Sequence, residues 1–512
     1  MLVDDNGGGS DRRGESGSNI SQVIETSVAW LLYFILLFTL AKQLRSMGIV
    51  SGGSQPVWIG VSAIGLWRYG LGVTHFIRGM FFLHYVFPRA RYQAEKLGAD
   101  GMPSHVYFLV TSFRIPNMTT IAVYRSVIEE AIGCGLPATV VGSIVELADE
   151  QLIRTAWKCL KPPHRVKLRL IRLSSGIGKR DALAQGFRVI SRDLPDNRAV
   201  MAVIDGDTVL RSGIIRQMAP FFALFPDVGG LTTNEFCNVE GYPRMRHWYR
   251  LRFAQRHINM CSMALSHRVL TMTGRMSLFR ASVVSHSDFI FDVENDTLDH
   301  WRLGHFPFLT GDDKSSWYSL MRQGYGAYYI PDVAIDTIES PMHPSFFTAT
   351  RQLMFRWYGN SLRQNHRAIA LGPGRLGWFA YYVLLDQRVS MWVILFGPSV
   401  AIVGTMKYGV IVLLTYALWV AMSRLTTTLL LTASGHRVTV LSFPWFLYYN
   451  QMMGSLMKIY VLFHLDQQSW TRQGTVSDRD ADHAQIWFNR WSSLGMMFAA
   501  GSVFAAMIVA LV

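Results

Sequence analysis

Two carboxylates separated by one glycine, Asp205-Gly206-Asp207, stand at the end of the apolar run Met201-Ala202-Val203-Ile204. Side chains at i and i+2 can share one divalent cation, and Mg2+ takes one or two protein carboxylates and completes its octahedron with phosphate oxygens and water. The pair is a candidate metal–diphosphate site, although Asp-Gly alone is also ordinary turn chemistry. Gly178-Lys179-Arg180 opens a helical stretch after a strand-like run. Two cations at a helix N-terminus read either as a diphosphate clamp or as a cationic surface turn. Thr273-Gly274-Arg275 is a small-residue turn at which backbone can approach a ligand closely. Thr310-Gly311-Asp312-Asp313-Lys314 offers Asp313 as a general base and suits a helix N-cap equally well. Arg351 to Trp357 reads as an amphipathic interfacial helix. Gln352, Arg356 and Trp357 there suit either an acceptor collar or snorkelling cations beside an aromatic anchor.

The elements that must hold these residues follow from hydropathy. The chain has 512 residues, half of them hydrophobic and only 16% charged. About a quarter charged is usual for soluble domains, and here the apolar residues cluster in long runs at the two ends, as in membrane proteins. Residues 1–22 are rich in Gly, Ser, Asp and Arg and are expected to be disordered, without the layout of a cleaved signal peptide. Residues 23–88 hold two apolar segments, Thr26 to about Leu44 and Pro56 to about Phe87. Arg68 and Arg78 interrupt the second, so it either turns a polar face to protein or water or ends near Leu71 and continues as an interfacial helix.

Across residues 89–375 short apolar runs alternate with helical periodicity, which predicts an α/β domain with a mostly parallel sheet, closed by interfacial helices. Strands are expected at His105–Thr111, Ala138–Val141, Val166–Leu173 and Met201–Ile204, with helices at Thr120–Cys134 and Asp181–Ser191. The carboxyl end of such a strand is where open α/β sheets bind ligands. Residues 376–465 carry three more apolar segments, 466–490 a polar loop, and 491–512 a last membrane helix. The formal net charge of +14 fits an anionic substrate and, for the larger part, basic loops facing an anionic leaflet; no nucleic-acid partner is expected. Cys134, Cys159, Cys237 and Cys261 form no C-x-x-C pair, so neither a zinc site nor a disulfide framework is indicated.

In order, Gly-Lys-Arg, Asp-x-Asp, Thr-Gly, Gly-Asp-Asp and Gln/Arg-Trp between membrane helices resemble the processive family-2 glycosyltransferases, which include cellulose, chitin and hyaluronan synthases. Val203-Ile204-Asp205-Gly206-Asp207-Thr208, Leu309 to Trp317 and Ser469 to Thr475 are similar to the alginate-polymerising branch, the mannuronan synthases. The resemblance implies a GT-A-type, Rossmann-like catalytic domain on the cytoplasmic face of a bacterial inner membrane, inserted between α-helical transmembrane segments. It implies that GDP-mannuronate is joined to a growing β-1,4-linked chain by an inverting displacement and that the polymer passes through the membrane. Asp205 and Asp207 would hold a divalent metal, Mg2+ first and Mn2+ second. Lys179 and Arg180 would contact the diphosphate, Asp313 would be the base with Asp312 beside it, and Gly274, Arg275, Gln352, Arg356 and Trp357 would meet the acceptor.

Trp470 and Arg472 would lie in a gating loop over the nucleotide. The family's first aspartate has no direct counterpart, and Glu146 and Asp149 are both candidates. Gln352 stands one residue earlier than in the family's Gln-x-x-Arg-Trp, and Trp-Thr-Arg replaces Trp-Gly-Thr-Arg. A uronate donor further implies cations along the acceptor path, with Arg68, Arg78, Arg275, Lys314 and Arg356 as candidates. With no cyclic-di-nucleotide module evident after the membrane region, the resemblance implies a separate cyclic-di-GMP-binding PilZ-domain co-polymerase and an envelope-spanning export complex. Two alternatives remain open: a UDP-sugar-using synthase, or an inactive transferase-like membrane scaffold. A cytoplasmic gating loop also requires an even number of crossings after the catalytic domain, whereas three apolar segments intervene.

Overall fold

The computed structural model describes residues 11–46, 55–174, 178–239, 243–339, 341, 343–434, 442–470, 475–476 and 483–512. Helix α1 (Asp11–Ser46) begins inside the stretch expected to be disordered; residues 1–10 lie outside the described residues. Helix α2 (Gln55–Phe81) neither breaks at its arginines nor ends near Leu71, but runs through a π-turn (Phe82–Val86) directly into α3 (Phe87–Lys96). Its two charges explain the continuity, because each finds a protein partner. Arg68 pairs with Asp386 at 3.1 Å, and Arg78 donates to Ser262 O at 3.1 Å and lies 4.0 Å over the Phe379 ring.

The main sheet has the order β3-β2-β1-β4-β7-β6-β10-β5. One half comprises β1 (Val106–Thr111), β2 (Ala138–Ile144), β3 (Val166–Arg172) and β4 (Val200–Asp205), while the short β5 (Thr208–Val209) that follows β4 in sequence pairs with β10 at the opposite edge. The second half adds β6 (Val228–Val239), β7 (Met276–Arg280) and β10 (Gly326–Glu339); β8 (Thr297–His300) and β9 (Gly304–Pro307) form a separate small ribbon. β1 runs parallel to β2 and β4, β2 to β3, and β6 to β10, while β7 lies antiparallel between β4 and β6. Every residue of β1 and β2 is buried, as expected for strands covered on both faces. The parallel pairs are bridged by α4 (Asn117–Gly133), α5 (Leu147–Leu160) and α6 (Lys179–Ser191). Short α7 (Ile214–Met218) and α8 (Pro220–Leu224) lead into β6, and long α9 (Pro243–Ala264) follows it. After β7 come α10 (Ala281–Val284), α11 (Ser287–Glu294) and α12 (Asp312–Arg322), and after β10 the long α13 (Phe346–Ala370) and short α14 (Gly372–Leu376). The β6–β10 register shifts between Ile330 and Ala334, around Pro331, which has no N–H to give a ladder.

The chain then enters α15 (Trp378–Tyr408), α16 (Ile411–Ala433), α17 (Phe443–Phe463) and α18 (His483–Leu511), with a two-residue ribbon of β11 (Ser469–Trp470) and β12 (Thr475–Val476) between the last two. Among the described residues, four helical spans are long and apolar enough to cross a membrane: Val23–Arg45, Trp378–Tyr408, Ile411–Ala433 and Ala484–Leu511. α17 is not one of them. It packs Phe443, Phe446 and Leu447 into one apolar cluster with Trp248, Tyr249 and Leu251 of α9 and Phe346 and Leu353 of α13. Two candidate crossings therefore separate the α/β domain from α17, and the loop expected over 466–490 ends earlier, because α18 already begins at His483.

Candidate active site

The carboxyl end of β4 carries Asp205, and the antiparallel partner β7 is entered from the opposite direction, so the turn before β7 falls at the same edge. The Asp205 amide donates to Arg275 O at 2.9 Å, which fixes Thr273-Gly274-Arg275 against the Asp-Gly-Asp turn. Gly206 is required by closeness to β1: an added Cβ would lie 2.8 Å from Thr111 O and 2.9 Å from Ser112 Oγ. The Gly-Asp-Asp motif joins from α12. Gly311 adopts φ +92° as the residue before the helix, and a Cβ there would meet Asn360 Cγ of α13 at 3.0 Å. Asp312 and Asp313 form the first turn of α12, where carboxylates suit the helix dipole.

Lys179, the first residue of α6, closes the arrangement. Its ammonium bridges Asp205 and Asp312, 2.7 Å from the latter. Burial opposes the charge of Lys179, but the two carboxylates outweigh it and hold the ammonium above its usual range. Burial pushes the Asp205 carboxyl up to about 7, against the pull of Lys179 and with the help of Asp207 and Asp312. Asp312 is also buried, yet Lys179 and then Arg180 keep it below the ordinary carboxylate range. Gly274 lies between the carboxylates: its ideal Cβ would be 3.6 Å from Asp313 Cβ and 3.7 Å from Asp205 Oδ2. Thr271 Oγ1 donates to Asp313 Oδ2 at 3.3 Å. Burial lowers the Lys314 ammonium against the pull of Asp313. Lys179, Asp205, Asp207, Gly274, Asp312 and Asp313 thus share one edge of the sheet. Among the described residues no set of three His, Cys, Asp or Glu side chains forms a metal cage. A cation here would rest on Asp205 and Asp207 and complete its shell from a ligand.

Arg180 and Arg275 are committed elsewhere. The buried Arg180 guanidinium donates to Val293 O at 2.9 Å, Ser315 Oγ at 2.8 Å and Thr310 O at 3.0 Å, so it braces the turn that presents Asp312 and Asp313. Asp296, buried beneath it, is shared with Arg367. Arg275 lies 2.5 Å from Glu235 and 2.5 Å from Glu339, and Glu235 also holds Arg256 at 3.0 Å. The sequence reading missed Glu235, Glu339, Asp296 and Arg367. Glu235 alone left a trace, as a carboxylate inside an otherwise strand-like stretch.

At the end of β2, Glu146 is exposed, whereas Asp149 is 2% exposed and accepts from Thr120 Oγ1 at 3.4 Å. Its other oxygen, Oδ2, has no hydrogen-bond partner among the described residues. Burial, and then Glu146, raise the Asp149 carboxyl above its ordinary range. On α13, Leu353 occupies the core position and Gln352 lies one turn before Arg356. Trp357 stacks on Trp248 at 5.8 Å with planes 8° apart, and the Arg252 guanidinium lies 4.7 Å over its ring. Trp470 is in β11, while Arg472 lies outside the described residues. Gln468, which the sequence did not single out, roots that loop: it accepts from Leu309 N at 2.9 Å and donates to Pro307 O at 2.8 Å, directly before Thr310-Gly311-Asp312.

A family model described as "Glycosyltransferase like family 2" matches residues 103–360. Over 486 residues the chain is 57% identical to "Glycosyltransferase alg8" of Pseudomonas syringae pv. tomato, covering 95% of this chain and 98% of that protein. Over 490 residues it is 54% identical to "Glycosyltransferase alg8" of Azotobacter vinelandii, covering 96% and 99%. Among solved structures, a mannosyltransferase from Pyrobaculum calidifontis in complex with GDP-Man and Mn2+ aligns at 15% identity and TM-score 0.45, covering 78% of this chain and 97% of that one. GalNAc-T7 with UDP, GalNAc and Mn2+ aligns at 12% identity and TM-score 0.30, covering 53% and 52%.

Proposed function

The chain belongs to the glycosyltransferase-like family 2, with a GT-A-type catalytic domain, and we propose that it polymerises mannuronate from GDP-mannuronate and passes the chain across the bacterial inner membrane that holds it. The carrying observation is the Lys179 bridge between Asp205 and Asp312 with Gly274 packed between Asp205 and Asp313, which unites four separated motifs in one site. Asp313, steadied by Thr271, takes the proton of the acceptor hydroxyl as its oxygen attacks the anomeric carbon. Lys179 moves its charge from the carboxylates to the departing diphosphate, and Arg180 keeps the base-bearing turn rigid while it does so. A divalent metal bound at Asp205 and Asp207, Mg2+ or Mn2+, supplies charge stabilisation to the leaving GDP. That pair fits it, because Asp205 and Asp207 stand two residues apart at the end of β4 and the one ammonium paired with Asp205, that of Lys179, is shared with Asp312. Asp149, with its unpartnered oxygen, suits the N–H groups of a nucleobase better than the exposed Glu146.

The mannuronate assignment rests on the likeness of the Asp-Gly-Asp-Thr, Gly-Asp-Asp-Lys and Trp-Thr-Arg stretches to mannuronan synthases. The experiment is polymer synthesis in membranes, with and without a PilZ-domain partner, offering GDP-mannuronate, GDP-mannose, UDP-glucose and UDP-N-acetylglucosamine beside the Asp313→Asn variant. Polymer from GDP-mannuronate alone, lost in the variant while GDP binding survives, is the expected result. Polymer from a UDP-sugar overturns the donor, and loss of GDP binding in Asp313→Asn overturns the base role.

A further inference from the structure

Several arginines around the site are met by carboxylates. Arg256 and Arg275 are met by Glu235, Arg275 also by Glu339, and Arg180 and Arg367 by Asp296. Arg252 stands one turn before Arg256 on α9, yet no ion pair among the described residues includes it, nor does one include Lys458 on α17. These two converge on Tyr358 of α13. Arg252 Nη1 donates to Tyr358 Oη at 3.4 Å, and Lys458 Nζ lies 4.8 Å from the Tyr358 ring centroid.

Aromatic faces rather than carboxylates hold the arginine: its guanidinium lies 5.1 Å over Trp248 and 4.7 Å over Trp357. Such a placement fixes a guanidinium and leaves its charge for an incoming anion. The hydroxyl of Tyr358 reports the same excess of positive charge. Burial alone would push it up, but Arg252 and Lys458 hold it below its usual range.

The floor of the cluster is polar and incompletely satisfied. Gln451, Gly454 and Lys458 follow each other at helical spacing on one face of α17. Gly454 gives the phenol room, since a Cβ there would stand 2.9 Å from Tyr358 Oη. Gln451 Oε1 and Asn450 Nδ2 are buried without a hydrogen-bond partner among the described residues, while Asn450 Oδ1 accepts from Trp248 Nε1 at 2.5 Å. Buried amide groups are nearly always paired, so unmet capacity on the same helix as an unpaired ammonium suits a ligand bearing both hydroxyls and a negative charge. The same helix reaches the base-bearing turn with a different face, because Asn360, two residues beyond Tyr358, packs on Gly311 and accepts from Thr310 Oγ1 at 2.8 Å.

We propose that Arg252, Tyr358 and Lys458 form a carboxylate-binding subsite for an acidic glycan, one that grips a sugar carboxylate of the acceptor chain between α9, α13 and α17. The inference rests on the polymerase reading of the site and adds to it the side chains that meet the acceptor's carboxylate. A neutral glycan leaves both cations unmatched; a uronate satisfies them with charge-assisted hydrogen bonds.

The test measures binding of a uronate oligosaccharide and of its carboxyl-reduced, neutral counterpart to the full chain in nanodiscs, by tryptophan fluorescence, with Trp248 and Trp357 as reporters. The parent protein is expected to prefer the acidic oligomer. Lys458→Ala is expected to weaken the acidic oligomer about tenfold to a hundredfold, the range for a hydrogen bond to a charged group, without changing the neutral one. Lys458→Arg restores the preference, and GDP binding in each variant certifies the fold. Arg252→Ala is expected to act in the same direction. Equal binding of both oligomers by the parent, or an unchanged ratio in Lys458→Ala, overturns the subsite. A Lys458 dependence seen only in nanodiscs of anionic lipid assigns the charge to headgroups and also overturns it. The polymerase reading fails separately: without polymer from any uronate donor it falls, while a Lys458-dependent preference for the acidic oligomer still upholds the subsite.

Discussion

Replacing Lys179 by Met keeps most of the side chain's bulk and removes the one ammonium shared by Asp205 and Asp312. Removing one partner of a buried ion pair costs about 3–5 kcal/mol. Here 23% of the Lys179 side chain and 25% of that of Asp205 are exposed, so water screens part of the loss. About 2–3 kcal/mol is expected at alkaline pH. For a domain of this size that lowers the melting temperature by roughly 4–10 °C. The deficit must depend on pH with a definite sign. Asp205 in the folded protein is raised to about 7, above its unfolded value, so its charge weighs against the fold above that pH and the burden fades as pH falls.

Without Lys179 the Asp205 carboxyl rises further. The deficit is then largest near pH 8 and shrinks towards pH 5. Asp312, whose carboxyl lies below the ordinary range in the parent, keeps part of the deficit alive in acid. Excess Mg2+ or Mn2+ replaces the missing charge and stabilises the variant more than the parent, through its affinity for the folded carboxylates. Thermal unfolding of the detergent-solubilised chain from pH 5 to 8, with chelator or with metal, reads all three effects. A deficit indifferent to both pH and metal refutes the electrostatic role of Lys179, and with it the reading of Asp205-Gly206-Asp207 as a cation-seeking pair.

Gly206→Ala forces a Cβ to 2.8 Å from the backbone oxygen of Thr111, and spreading the ends of β1 and β4 to relieve it displaces Asp205 and Asp207. A misplacement of about 1 Å lowers transfer roughly a hundredfold, read as initial rate; a rate near the parent's would show that the strand ends do not fix the site. Asp149→Asn is expected to weaken GDP binding about tenfold, the loss of a charge-assisted hydrogen bond. In the parent, GDP binding should also weaken as pH falls through the raised Asp149 value, while in the variant calorimetry should find it flat across that range. Gln468→Ala removes both bonds to the 307–309 segment, worth about 1–2 kcal/mol together. Hydrogen exchange at Leu309 should speed up and turnover fall, and unchanged exchange would detach this loop root from the catalytic turn.

What was legible in the sequence was whatever depends on neighbours along the chain. β4 announced itself because a strand covered on both faces is uniformly apolar, and the carboxylates at its end could only emerge at the sheet's edge. The Gly-Asp-Asp motif was likewise legible as a helix start, and α12 begins at Asp312. The arginines were misleading for the opposite reason. Arg180 follows Lys179 directly, yet its partner Asp296 lies 116 residues away. Arg275 finds Glu235 and Glu339 at separations of 40 and 64 residues. A cation's counter-ion arrives through tertiary packing, so spacing cannot say whether its charge is still available. Lys179 and Arg180 look equivalent in sequence, but the rotation of about 100° between consecutive helical residues sends the first to the carboxylates and the second into the brace behind them.

The topology of the carboxyl-terminal third follows from the same distinction between average hydropathy and placement. Three apolar segments follow the domain in the sequence, and those interrupted by Arg424 and Lys458 are equal candidates for an interfacial exception, because both are apolar on average. The apolar residues Phe443, Phe446 and Leu447 of α17 pack on α9 and α13, and its polar residues Asn450 and Lys458 face the same two helices, at Trp248 and Tyr358. With α17 docked on the domain in this way, α15 and α16 are the candidate spans between the domain and α17, and two spans would return the chain to the side it left. Side-chain bonds independent of hydropathy demand the same outcome. Gln468 is bonded to Pro307 and Leu309, and Arg302 donates to Phe463 O at 2.7 Å and Ser493 Oγ at 2.7 Å, so the chain on both sides of the 466–490 loop is fastened to the catalytic domain. An odd number of crossings would put the membrane between partners that are in hydrogen-bond contact.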